Sequence, residues 1–232
     1  MTTKRKDSVK YSARTKAREN YYNKAGQKVD GVTTILGLHD KPALLYWAWD
    51  LGMKKIDFKT SRNELAEVGK LLHHMVRATL IGETYAHLFK DYHAWEVKRA
   101  KESFKSFERW RSEHKIKVIK TEYIVISENL QAGGRFDLLS ETDGLLTLTD
   151  WKTGKRCYKE AKMQVAAYAA MLEEQDGIKV DRVTVVNLPR GKGEIFDEVS
   201  IQDRETLQLY LDVFLGLNIS HKAEKKLGIR WE

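Results

Sequence analysis

A chain of 232 residues with 42% hydrophobic residues and six tryptophans carries enough apolar mass for one domain of ordinary to large size. Its 41 Lys plus Arg against 33 Asp plus Glu leave a net charge of +8, which suggests a polyanionic partner because a positive field attracts phosphates at long range. A single cysteine, Cys157, excludes an internal disulfide and any multi-cysteine zinc or iron–sulfur site, and no apolar run approaches the roughly eighteen residues of a membrane helix.

Residues 1–25 read as a basic arm suited to touching nucleic acid, without the apolar stretch of a secretory signal. Residues 26–232 read as a single domain. Val32-Thr33-Thr34-Ile35-Leu36 is a short helical turn or strand. Asp40-Lys41-Pro42 then starts a helix, with proline at an early position and Leu44, Leu45, Trp47, Ala48 and Leu51 on a wide apolar face. Further helices are expected over residues 63–80 and 92–113, the second burying Trp95, Phe104, Phe107 and Trp110. From residue 115 the pattern changes to strands, over 117–126, 132–141 and 145–152. An alanine-rich helix over 160–174 follows, then strands over 183–188 and 195–201, and a closing helix from Arg204 to Lys226. This order predicts an α/β fold, a mixed sheet flanked by helices, with a helical extension over 40–114 ahead of a sheet core over 115–203.

The most informative stretch is the hairpin. Asp143-Gly144 between apolar runs signals a two-residue loop, which places Thr142 opposite Leu145. Counting outward, Asp137 falls opposite Asp150, and alternation puts Lys152 on the same face. Two carboxylates at roughly 4.5–5.5 Å across a ladder repel each other unless a charge compensates them. A hard divalent cation, which prefers oxygen ligands, supplies that charge. On the other face Phe136 comes opposite Trp151 as a buried aromatic pair, and Gly133-Gly134 is where a bulge would disturb the register.

Three other positions bear on this site. Glu122 on the preceding strand is either a third carboxylate or a solvent-facing residue. Gln164 and Tyr168, four apart, share one helical face, which reads as a solvated stripe or as site support. His73 follows Gly69 by four residues, and that glycine permits close approach of another backbone.

In order, Gly69…His73, Gly134-Arg135-Phe136-Asp137, Asp150-Trp151-Lys152-Thr153 and Gln164…Tyr168 resemble the RecB-like branch of the PD-(D/E)XK nuclease superfamily. Residues 32–47 look like the corresponding part of phage-encoded exonucleases and of the mitochondrial genome maintenance exonuclease. The resemblance implies a restriction-endonuclease-like core and a Mg²⁺- or Mn²⁺-dependent deoxyribonuclease. It makes His73, Asp137, Asp150 and the Trp151 backbone carbonyl metal ligands, with Glu122 as an optional one. Lys152 would orient or activate the attacking water and stabilise charge on the phosphate, and Gln164, Tyr168 and Arg135 would support the site or touch DNA. The iron–sulfur subgroup is excluded, since only Cys157 is present.

The leading expectation is therefore an exonuclease on DNA with a free or single-stranded end. The alternatives are a structure-specific endonuclease and a non-catalytic DNA-binding protein on a nuclease core. No phosphate loop of a helicase motor appears, so strand separation would need a helicase or recombination partner. The resemblance places the protein in the cytoplasm of a bacterium or phage-infected host ahead of the mitochondrion, with no membrane partner.

Overall fold

The computed structural model describes residues 19–229. Seven strands build one mixed sheet: β1 (Tyr21–Tyr22), β2 (Lys28–Gly31), β3 (Ile116–Ser127), β4 (Ala132–Thr142), β5 (Leu145–Lys152), β6 (Arg182–Asn187) and β7 (Asp197–Ile201). The helices are α1 (Val32–Ile35), α2 (Pro42–Met53), α3 (Phe58–Leu80), α4 (Ala94–Glu113), α5 (Lys159–Asp176) and α6 (Arg204–Lys226).

Strand β4 is the hub. Antiparallel β3 follows one edge of it from end to end. Its other edge is shared: β2 runs parallel beside Ala132 and Gly133, and β5 runs antiparallel beside Leu138 to Thr142. The stretch from Gly134 to Asp137 thus has no strand partner on that edge. Beyond β5 the sheet continues with parallel β6 and antiparallel β7.

Alternation along β4 and β5 feeds two cores, one on each face. Leu139 and Leu148 pack with Tyr168, Met171 and Phe214 under α5 and α6. Leu138 and Trp151 pack with Leu72, Phe107 and Trp110 under α3 and α4. The helix starts follow capping rules. Pro42 occupies the first turn of α2, Asp57 accepts from the Thr60 N–H (2.6 Å), and Asp203 accepts from the Thr206 N–H (2.8 Å). Gly177, at φ 67°, ends α5.

The Asp143-Gly144 loop forms as the sequence predicts. Both residues have positive φ (56° and 84°), as a type I′ turn requires, and Thr142 faces Leu145. Several expectations need correction. Helix α3 begins five residues earlier than its apolar periodicity shows, at the Asp57 cap, whereas Val32–Ile35 takes the helical one of its two expected forms. Phe136 does not meet Trp151: its ring lies 5.7 Å from Tyr123, whereas Trp151 stands edge-on to Phe107 (5.4 Å) and Trp110 (5.0 Å). Trp95 is exposed rather than buried. The apolar face expected of α2 is mostly in solvent: Trp47 packs on Phe58 (5.1 Å) and Leu51 is buried, but Leu44, Leu45, Tyr46, Trp49 and Met53 are exposed. That helix is apolar on two sides and has a neighbour on one. Most of the basic arm, residues 1–18, lies outside the described residues, while Tyr21–Tyr22 inside it is strand. No described helix is long and apolar enough to cross a membrane.

Candidate metal centre

The site forms where β4 loses its neighbour. The register keeps Leu138 opposite Thr149 and stops there, one step before Asp137 and Asp150 would pair. The two strands part because the Asp137 side chain enters the ladder: its Oδ2 accepts the Trp151 N–H at 2.7 Å. The directly facing carboxylates expected from the hairpin count are therefore replaced by a carboxylate clasped to the opposite backbone. On the β3 side, Thr121 pairs with Leu138 and Tyr123 with Phe136, so Glu122 stands across from Asp137. Glu122 has φ 49°, a left-handed backbone rarely adopted outside glycine, and its side chain turns toward Asp137.

His73 enters from α3, with its Nδ1 3.1 Å from Asp137 Oδ1. Ligand atoms of His73, Glu122 and Asp137 all lie within 4.8 Å of one another. Helix α3 can come this close because of Gly69: a Cβ there would meet Thr153 Oγ1 at 2.8 Å. The glycine thus accommodates the segment just after Lys152. Asp150 is buried beside the trio and forms an ion pair with the Lys152 ammonium. The oxygen of that contact, Asp150 Oδ2, is fully buried. Arg135 holds Glu122 (Nε to Oε2, 2.9 Å) and also reaches Glu19 (3.2 Å).

The electrostatics are those of a site short of positive charge. Burial pushes Asp150 up to about 6, with the Lys152 ammonium opposing and Asp137 reinforcing. Burial and then the Asp137 charge push Glu122 up to about 7. Burial also opposes ionisation of Asp137, but His73, Lys152 and the Trp151 N–H outweigh it and hold its carboxyl below the usual range. Burial pulls the His73 imidazole down, and the charge and hydrogen bond of Asp137 reverse this and raise it to about 9. Converging oxygen and nitrogen donors and disfavoured carboxylate charges fit a divalent cation.

The chain matches the family model of the PD-(D/E)XK nuclease superfamily over residues 46–217. It belongs to that superfamily. Membership makes this protein a nuclease of a family that uses divalent metal ions. No curated protein matches the chain. Among solved structures, an exonuclease candidate from Eubacterium rectale is similar at 13% identity and a TM-score of 0.48, covering 71% of this chain and 69% of that one. The protein SSO0001 is similar at 15% identity and a TM-score of 0.31, covering 80% and 74%.

Gln164 and Tyr168 form no solvated stripe in this nuclease. Both are buried, and the Gln164 amide donates to the Tyr168 hydroxyl at 2.7 Å. Neighbouring glycines on β4 open one gap on each face. A Cβ at Gly134 would fall 2.2 Å from Tyr168 Cε1, and one at Gly133 would fall 2.3 Å from Tyr21 Cβ. The pair is filled by two rings rather than by a bulge, and Tyr21 escapes any reading of the chain that treats residues 1–25 as an arm. Asn187, fully buried opposite Lys152, is another residue that sequence reasoning misses. A polar residue ending an apolar strand was its one signal.

Metal binding must strip protons from this site, because ligands bind deprotonated. With His73 near 9, Glu122 near 7 and Asp150 near 6, Mn²⁺ affinity should climb as pH rises from about 6 to about 9. In the metal-free protein the stability tied to these three raised groups is present at low pH and is lost as pH rises through the same values. Calorimetric titration in buffers of different ionisation enthalpy should record proton release on Mn²⁺ binding. Binding without proton release at pH 6 would mean that these groups are not the ligands.

Proposed function

We propose that the protein is a metal-dependent exonuclease that hydrolyses DNA from a free end, with a preference for single strands. The observation that carries the nuclease part is the convergence of His73, Glu122 and Asp137 beside the Asp150–Lys152 ion pair. His73, Glu122, Asp137, Asp150 and the Trp151 carbonyl would hold the cation, and an imidazole among the ligands favours manganese over magnesium. A cation held there lowers the pKa of an attacking water and offsets charge on the phosphate.

The chain's own groups have separate tasks. Asp137 fixes the splayed end of β5 through the Trp151 N–H and orients His73. Asp150 anchors Lys152, whose half-exposed ammonium can reach a phosphate oxygen and stabilise the charge that develops there. Gln164 and Tyr168 hold the sheet face beside Asp150 rigid and dry.

Support for a single strand comes from the helices before the sheet core. A groove of about 920 Å³ runs between α2, α3, α4 and the β6–β7 connection, lined by Trp47, Trp95, Lys98 and Arg99. Trp95 is exposed, with the Arg99 guanidinium 5.8 Å from its ring centre, and an aromatic beside cations suits base stacking and phosphate contact without sequence readout. The groove follows Ser61, Glu64 and Leu65 on α3, and His73 stands two turns farther along that helix.

Digestion of linear and circular single-stranded DNA with Mn²⁺ tests the mode. Linear strands should shorten while circles persist. Circles cut at the same rate would make the protein an endonuclease, and binding without cleavage of either would make it a DNA-binding protein on this core.

A further inference from the structure

Two loops meet beyond the end of β5. One follows Lys152 and carries Thr153-Gly154-Lys155-Arg156; the other joins β6 to β7 through Arg190-Gly191-Lys192-Gly193. They are fastened to each other. The Asn187 amide donates to the Gly154 carbonyl (2.8 Å) and to the Ile195 carbonyl (2.7 Å), and the Ile195 N–H donates to the Lys155 carbonyl (3.1 Å). The second loop is tied in turn to the helical layer, by Arg190 to the Leu65 carbonyl (3.2 Å) and by Ser103 to the Pro189 carbonyl (2.7 Å). Exposed loops with this much cross-bracing are held in one shape.

What they present is positive charge. Lys155, Arg156, Lys159 and Lys192 are exposed and have no acidic partner among the described residues. The acidic groups nearby are mostly engaged: Glu194 with Arg190 (3.0 Å), and Asp197 with the Cys157 N–H (2.8 Å). Glu160 stands in the first turn of α5. Arg156 lies over the Tyr158 ring (5.7 Å). Lys155 lies three positions beyond Lys152, so their Cα atoms are within about 11 Å of each other whatever path the chain takes.

We infer that the braced loops form a nucleic-acid phosphate-binding ridge, in which Lys155, Arg156 and Lys192 grip the strand beside the scissile phosphate. The ridge rests on the nuclease reading for its substrate, but its function is binding and needs no cleavage. Asn187 is its positioning residue, because a single buried amide holds both loops. Backbone phosphates are recognised here by charge alone, so the grip carries no sequence preference.

The test is anisotropy of a labelled oligo-dT strand in chelator, where nothing is cut, across a salt series. The variant Lys155→Ser/Arg156→Ser/Lys192→Ser should flatten the slope of log affinity against log salt by roughly two, at about 0.7 per lost phosphate contact on a single strand. Lys115→Ser/Lys117→Ser removes exposed charge at the hairpin tip, the opposite end of β5, and should leave the slope unchanged. Asn187→Ala should weaken binding at low salt while circular dichroism stays native. Hydrolysis of bis(4-nitrophenyl) phosphate with Mn²⁺ should be the same in wild type and in Lys115→Ser/Lys117→Ser. An unchanged slope in the triple variant, with wild-type cleavage intact, overturns the ridge and leaves the nuclease standing. A flattened slope in a protein that cuts nothing keeps the ridge and removes the nuclease reading.

Discussion

Asp150→Asn should lower metal-dependent cleavage by about three orders of magnitude and, at pH 8, raise the melting temperature of the metal-free protein. Both effects have one cause. Asp150 is almost fully buried, and burial holds its carboxyl up at about 6. A carboxyl raised in the folded state adds stability at low pH and loses it as pH rises through the folded value. Above about pH 6 the metal-free protein therefore keeps a charge that its surroundings disfavour, and neutral asparagine removes it. The gain should shrink toward pH 5, where the native carboxyl is itself largely neutral. Lys152 would lose its partner, but its side chain is partly exposed and can be hydrated. For catalysis the same substitution removes a cation ligand, and Lewis-acid stabilisation is worth several kcal/mol, about tenfold in rate for each 1.4 kcal/mol. Melting curves with and without Mn²⁺ provide the check. The wild type should gain from the ion and the variant should gain little. A variant that keeps full activity would remove Asp150 from the site.

The second large effect is structural. Gly134→Ala should destabilise the fold by about 3 kcal/mol, a drop in melting temperature of roughly 6–12 °C for a chain of this size. The added Cβ would meet three atoms of the Tyr168 ring, at 2.2, 3.0 and 3.1 Å. Tyr168 is buried and held by Gln164, so the ring cannot yield by a small rotation. It must leave its place, and the wall beside Asp150 goes with it. Tyr168→Ala opens the space, so Gly134→Ala should cost little in that background. The double-mutant cycle should show a coupling of about 2 kcal/mol or more. Equal costs in both backgrounds would mean that the ring is not what Gly134 accommodates.

These two predictions show where sequence and structure agree and where they part. The strand boundaries of the hairpin, its type I′ loop and its register follow from Asp143-Gly144 and from alternation alone, because those are local properties. The gathering of Asp137, Asp150 and Lys152 at one end of the hairpin follows too. The geometry there does not, because the ladder stops at Leu138 and Thr149 and the Asp137 carboxylate takes the Trp151 N–H instead of facing Asp150, a side-chain contact that alternation does not show. Glu122 could not be decided from its strand pattern, since an ordinary extended backbone would aim its side chain elsewhere than φ 49° does. Tyr21 was hidden by the basic composition around it. Gln164 and Tyr168 were legible as a pair but not as buried, because i and i+4 polar residues look alike whether they face water or each other. The exposed stripe of α2 shows the same limit from the other side: periodicity states which residues are apolar, not which of them find a neighbour.

The most direct test of the metal-dependent nuclease centre follows end-labelled linear single-stranded DNA with wild-type protein and Lys152→Ala, in chelator and with Mn²⁺ or Mg²⁺. The wild type should shorten the strand only when an ion is present, and Lys152→Ala should be slower by a factor of roughly 10²–10³ under the same conditions. Cleavage that persists in chelator, or that is as fast without Lys152, would contradict the assignment of the centre.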